Sequence, residues 1–167
     1  MELVEGTATV EDVDAFVERL GAIGDEHGVT VQAFDARYVV DRAHLTRAVE
    51  FADRAIDRGE NVARDRAVEI LLYAAGRRQI NRALAMGVDE GASPAVVLVD
   101  SERGDDAAER AAAAAVADLL DPAETLGAYD EGRVREFFGV GEAELAAVAG
   151  TLSDLVRERV ALLAVEK

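Results

Sequence analysis

Arg77, Arg78 and Gln79 stand together directly after Gly76, in a stretch that reads as a helix break followed by a new helix start. Two guanidinium groups beside unsatisfied backbone N–H groups make a ready anion site, suited to phosphate. Positive charge at a helix N-terminus opposes the macrodipole, so the arrangement needs compensation. A bound anion or nearby carboxylates could each supply it, and the sequence leaves both open. Upstream, Arg64 and Arg66 add charge before an apolar helix core around Ile70 and Leu71.

Catalytic chemistry finds little to work with. A phosphate-binding loop needs a Lys beside its helix N-terminus, and the only Lys is Lys167. A dinucleotide fingerprint needs three glycines between a strand and a helix, whereas Gly139-Val140-Gly141 offers two between helices. Nucleophilic catalysis needs Ser or Cys with a His base. There is no Cys, and Ser93, Ser101 and Ser153 fall at strand ends or a helix start. His27 closes one helix and His44 opens another, neither in a metal-ligand pattern. Among 34 acidic residues no carboxylate pair is singled out. The expectation is a protein with no catalytic residues, no metal and no cofactor.

The elements that must carry these residues follow from periodicity. Leu3 to Val10 reads as a short strand, and Glu11 to His27 as a helix with Val13, Phe16, Val17, Leu20 and Ile23 on one face. Gly28 ends that helix. Val29 to Phe34 reads as a second strand. Asp41 caps a helix to about Arg58, with Leu45, Ala48, Val49, Ala52 and Ile56 as its buried stripe. Helices are then expected over 64–75 and 77–86, and a strand over 94–100, apolar on both faces and so central in its sheet. An Ala-rich helix over 105–120 ends at Asp121-Pro122, a short extended piece follows, and helices over 131–138 and 142–165 complete the chain. Strands alternating with helices predict an α/β or α+β fold: a small mixed sheet covered by about seven helices in one compact domain over 1–167.

Composition adds a setting. The 167 residues suit one domain, and half are apolar. The longest apolar run, Ala111 to Ala117, is far short of the ~18 residues of a membrane span. The first residues carry acid where a signal peptide would carry base. A soluble cytoplasmic protein is expected. The 34 acids face 18 bases, all Arg except Lys167, for a net charge of −16. Such a carboxylate-rich, Lys-poor surface fits a salt-rich cytoplasm. Within it, residues 37–82 hold ten Arg against seven acids, net +3, flanked by segments of −8 and −11. A helix face laced with pairs such as Glu50 and Arg54 would explain that island without a ligand.

The strings Glu69-Ile70-Leu71-Leu72-Tyr73, Gly76-Arg77-Arg78-Gln79-Ile80, Ala83-Leu84 and Gly87-Val88 resemble the signature of the small kinase-regulatory subunit of the KEOPS complex, the CGI/TPRKB family, in a haloarchaeal form. The resemblance extends to Asp35-Ala36-Arg37-Tyr38-Val39 upstream and Arg135-Glu136-Phe137-Phe138 downstream. It implies a non-catalytic subunit that binds the N-lobe of the complex's atypical kinase/ATPase. It also implies help in recruiting tRNA by its 3′ CCA end for threonylcarbamoyladenosine modification by a separate catalytic subunit. On that reading, Arg64, Arg66, Tyr73, Arg77, Arg78 and Gln79 are the candidates for the tRNA tail. Phe138, Leu155, Arg159 and Leu162 are the candidates for the kinase. The alternative is a module or enzyme that holds a phosphorylated metabolite on Arg77 and Arg78.

Overall fold

A computed structural model describes residues 1–147 and 150–166; Lys167 and residues 148 and 149 lie outside the described residues. The fold is α+β. Among the described residues, four strands and eight α-helices run in the order β1 (Glu2–Val10), α1 (Val13–His27), β2 (Thr30–Asp35), α2 (Arg42–Asp57), α3 (Arg66–Ala75), α4 (Ile80–Ala83), β3 (Gly91–Asp100), α5 (Asp106–Ala117), β4 (Asp121–Pro122), α6 (Glu131–Phe138), α7 (Glu142–Ala147) and α8 (Leu152–Glu166). No described helix is long and apolar enough to cross a membrane. The chain divides into two compact units, Met1–Ala36 with Gly87–Thr125, and Arg37–Met86 with Leu126–Lys167.

The first unit holds the sheet, in the order β2-β3-β1-β4. The expected mixed sheet is instead antiparallel in every pairing. One face carries Ala8, Val10, Val31, Ala33, Ala95, Val97 and Val99, packed with Leu20 and Ile23 of α1 and Ala112 and Val116 of α5. The alternate residues Val96 and Leu98 are also fully buried, so β3 is central and apolar on both faces as its sequence predicts. Pairing of Val10 with Gly91 carries β3 three residues further back than Pro94; there β3 pairs with β1 alone, since β2 reaches only Ala95, and a one-sided stretch tolerates a proline. Gly6 allows β4 to approach: a Cβ there would lie 2.7 Å from the Asp121 carbonyl oxygen.

The second unit is helical, built on mutual packing of α2, α3 and α8. Helix α3 is buried from Glu69 through Ala75, on every side, as its unbroken apolar run requires. Aspartates open the helices: Asp41 accepts from the His44 N–H at 2.8 Å and Asp65 from the Ala67 N–H at 2.8 Å. The same device opens α1, α5 and α6 at Asp12, Asp105 and Asp130.

Two expected helices change. The one expected over 142–165 is two, α7 and α8. Thr151 and Asp154 form a reciprocal cap at the start of α8, the Asp154 carboxylate accepting from the Thr151 N–H at 2.9 Å and the Thr151 hydroxyl from the Asp154 N–H at 3.3 Å. The helix expected over 77–86 shrinks to the single turn α4 and a 3-10 turn at Leu84–Met86.

Candidate functional site

Three of the candidate residues of the second unit, Arg77, Phe138 and Arg159, meet where α3 and α6 end. Gly76 closes α3 at φ +61°, with its N–H on the Tyr73 carbonyl and the Arg77 N–H on the Leu72 carbonyl. This places Arg77 beyond a helix C-terminus, where the macrodipole favours a cation. The expected conflict at a helix N-terminus therefore does not arise. Helix α6 ends in the same way at Gly139, φ +67°, leaving carbonyls that need donors. Two arginines supply them. Arg77 donates from Nη2 to the Phe137 carbonyl, and Arg159 donates from Nε to the Phe138 carbonyl at 3.2 Å.

Around this cap the aromatic rings cluster. The Arg77 guanidinium lies 5.0 Å from the Phe137 ring centroid. Phe137 meets Tyr38 edge-on at 5.4 Å and Phe138 at 5.1 Å, and Phe138 meets His44 at 5.8 Å. Arg77 Nε is buried without a hydrogen-bond partner among the described residues. On α8, Arg159 also pairs with Glu144 at 2.7 Å. The Glu144 hydrogen bond holds the guanidinium more basic than usual, and the same bond holds Glu144 below the ordinary carboxylate range.

His44 sits beneath this cluster with no exposure. Its Nε2 is 2.8 Å from the Ala74 carbonyl, and the Val40 N–H donates to Nδ1. That pattern makes Nε2 the protonated nitrogen of a neutral ring. Burial pushes its pKa down to about 4. It is a core histidine. Among the described residues no group of His and carboxylates is arranged to hold a metal.

Arg64, Arg78 and Gln79 are exposed, and Arg77 is partly so. Arg66 is committed elsewhere: it grips Asp53 with both Nε, at 2.7 Å, and Nη2, at 2.9 Å, and its side chain is nearly buried. Tyr73 is 1% exposed and stacked at 6.0 Å on Phe51. Both therefore belong to packing, which corrects their assignment to an RNA surface. Phe138 and Leu155 are buried as well, so neither offers a surface to a kinase in this conformation. Leu162 is 39% exposed, and Val165, one turn on, is 81% exposed. Ile80 and Leu84 are further exposed apolar side chains of this unit. The helix start expected to hold a phosphorylated metabolite is a four-residue turn, and the Gln79 side chain makes no cap there.

Glu69 is a structural residue that sequence reasoning missed. Fully buried, it accepts the Val62 and Ala63 N–H groups on one oxygen, both at 3.0 Å, and so clamps the loop carrying Arg64. A lone acid inside an apolar helical run was the signal for it.

Residues 9–164 match the family described as kinase binding protein CGI-121, and the chain belongs to that family. No curated protein matches the chain.

Proposed function

We propose that this member of the kinase-binding family is a non-catalytic accessory subunit of the KEOPS complex. It binds the complex's atypical kinase/ATPase and brings the 3′ CCA end of tRNA toward threonylcarbamoyladenosine modification. The match over residues 9–164 to a kinase-binding family carries this reading. The acid-rich, Lys-poor composition suits an archaeal cytoplasm of high salt.

The kinase surface is the outer face of α8, where Leu162 and Val165 are exposed beside the partly exposed Arg159. Apolar side chains left in water on one helix face suit a protein partner better than solvent. Phe138 and Leu155 support that face from within. The tRNA surface uses Arg64, Arg78 and Gln79, with the Phe137 ring under Arg77 as a stacking element.

Two titrations test the two halves. Calorimetry with the purified kinase should show binding that Leu162→Glu together with Val165→Glu weakens at least tenfold while the fold persists. Undiminished binding by that variant removes the α8 face from the proposal. Anisotropy of fluorescent tRNA in multimolar KCl should show binding that requires the CCA end and weakens in Arg78→Glu. Equal affinity for tRNA lacking CCA removes the tRNA half.

A further inference from the structure

Helix α2 carries a row of side chains that the proposed kinase and CCA contacts do not use. Arg47, Phe51 and Arg54 on the helix and Arg58 at its C-cap, still in right-handed helical backbone, recur at intervals of four, three and four residues, which at 3.6 residues per turn places them on one stripe. The stripe rises about 16 Å along the axis. All three arginines are exposed, and Phe51 is partly so. The Glu50–Arg54 pair expected from sequence is absent: Glu50 pairs with Arg47 at 3.3 Å instead. Arg54 is left to the ring, its Cζ 5.1 Å from the Phe51 centroid, with Arg47 at 6.0 Å. Beneath, Phe51 rests nearly parallel on the buried Tyr73, at 19° between planes. The neighbouring Asp53 carboxylate is occupied by Arg66. Glu50, Asp57 and Glu60 are the exposed acids nearby in sequence.

We infer that this stripe is a stacking ridge for a single-stranded segment of RNA, separate from the Arg77–Gln79 contact. Each structural feature bears on the occupant. An aromatic ring locked from below by Tyr73 loses little side-chain freedom when a ligand arrives. Arginine planes at the ring offer π surfaces and phosphate donors at alternate steps, as single-strand binding surfaces do. An acidic peptide would use the charges but has no use for the planes. Stacking also persists in salt, where the Debye length shrinks to about 3 Å at 1 M and distant charges stop contributing. The inference rests on the RNA-recruitment reading for the presence of RNA, and on α2 alone for the place.

The test is anisotropy of a short fluorescein-labelled oligoadenylate and of intact tRNA, titrated with the full chain. Phe51→Leu keeps an apolar contact on Tyr73, and Arg54→Gln alters only an exposed position. Each is expected to weaken oligoadenylate binding about tenfold, within the range of one lost base stack. Glu50→Gln, which releases Arg47, is expected to strengthen it a few-fold. Unchanged affinity in Arg54→Gln and in a folded Phe51→Leu overturns the ridge. If Arg78→Glu still abolishes tRNA binding then, the CCA reading survives alone. Failure of the parent chain to bind either RNA overturns both. Binding of polyglutamate with the same dependence, and none of oligoadenylate, also overturns the ridge and makes it a docking face for acidic peptide.

Discussion

Acidification should unlock the second unit through His44. The ring is uncharged in the folded chain, with a pKa pushed by burial to about 4 from an ordinary 6.5. A base whose folded pKa is depressed costs nothing above the unfolded value. Below it, the unfolded chain takes a proton that the folded chain refuses. Stability contributed by the neutral ring is therefore complete above pH 6.5 and falls as pH drops, at about 1.4 kcal/mol per unit. The loss reaches about 3 kcal/mol near pH 4 and then levels off, since both states are protonated. His44→Gln removes the titration while keeping a donor for the Ala74 carbonyl. It surrenders the acceptor for the Val40 N–H and some contact with Phe138, a cost of about 2 kcal/mol at neutral pH. Urea melts of the two proteins from pH 7.5 to 4 should thus converge and cross near pH 5, with the variant the more stable in acid. Relief of carboxylate repulsion also grows as pH falls, but it acts on both chains and cancels in the difference. Curves that stay parallel, or an NMR titration of His44 near 6.5, would refute the account of a neutral buried ring.

Three further outcomes are expected. Glu69→Ala leaves the Val62 and Ala63 N–H groups without their acceptor, so denaturant melts should show a loss of about 2–4 kcal/mol, with faster proteolysis of the loop near Arg64. Arg66→Lys replaces a bidentate grip on Asp53 with a point charge; about 1–2 kcal/mol of stability should go, while tRNA affinity measured by anisotropy stays within twofold. Gly6→Ala drives a methyl to 2.7 Å from the Asp121 carbonyl and should lower stability by about 1–3 kcal/mol, with amide exchange at Asp121 the most accelerated.

What sequence could and could not show divides along local and distant causes. Helix α2 was legible because Asp41, its cap, lies three residues from the N–H it holds, and the apolar stripe repeats at helical spacing. The centre of β3 was legible because burial on both faces forces a continuous apolar run. The shortened α4 was not. Residues 77–86 have helical composition, but Arg77 answers to the Phe137 carbonyl sixty residues away, and no local pattern records that demand. Tyr73 failed for a related reason. An aromatic beside arginines fits a binding surface in sequence, yet the apolar run from Ile70 to Ala75 already required burial all round. That requirement outweighed the attraction of its neighbours. Arg66 reads as surface charge until the antiparallel packing of α2 and α3 brings Asp53 alongside. Leu155 and Leu162 differ by seven residues, two turns, yet only the first is covered. Periodicity gives a face, whereas what covers the face depends on the neighbouring helices.

Charge in this chain also divides by use, and that division narrows where RNA could bind. Part of the acid content is structural: Asp12, Asp41, Asp65, Asp105 and Asp130 each hold a helix N-terminus, and Asp41 further binds Arg157 of α8 at 3.0 Å. Part of the basic island is equally committed, Arg66 to Asp53 and Arg77 to the end of α6. Acids of the same segment are committed too, Asp41 and Asp65 as caps, Asp53 to Arg66 and Glu69 to the Val62 and Ala63 N–H groups, so the net +3 of residues 37–82 does not by itself measure what an anion would meet. A surface that relied on long-range attraction would fail against a total charge of −16, and fail again in concentrated salt. Contact has to be made at stacking and hydrogen-bond distance. The exposed arginines beside Phe51 on α2 are guanidinium groups already arranged for that kind of contact.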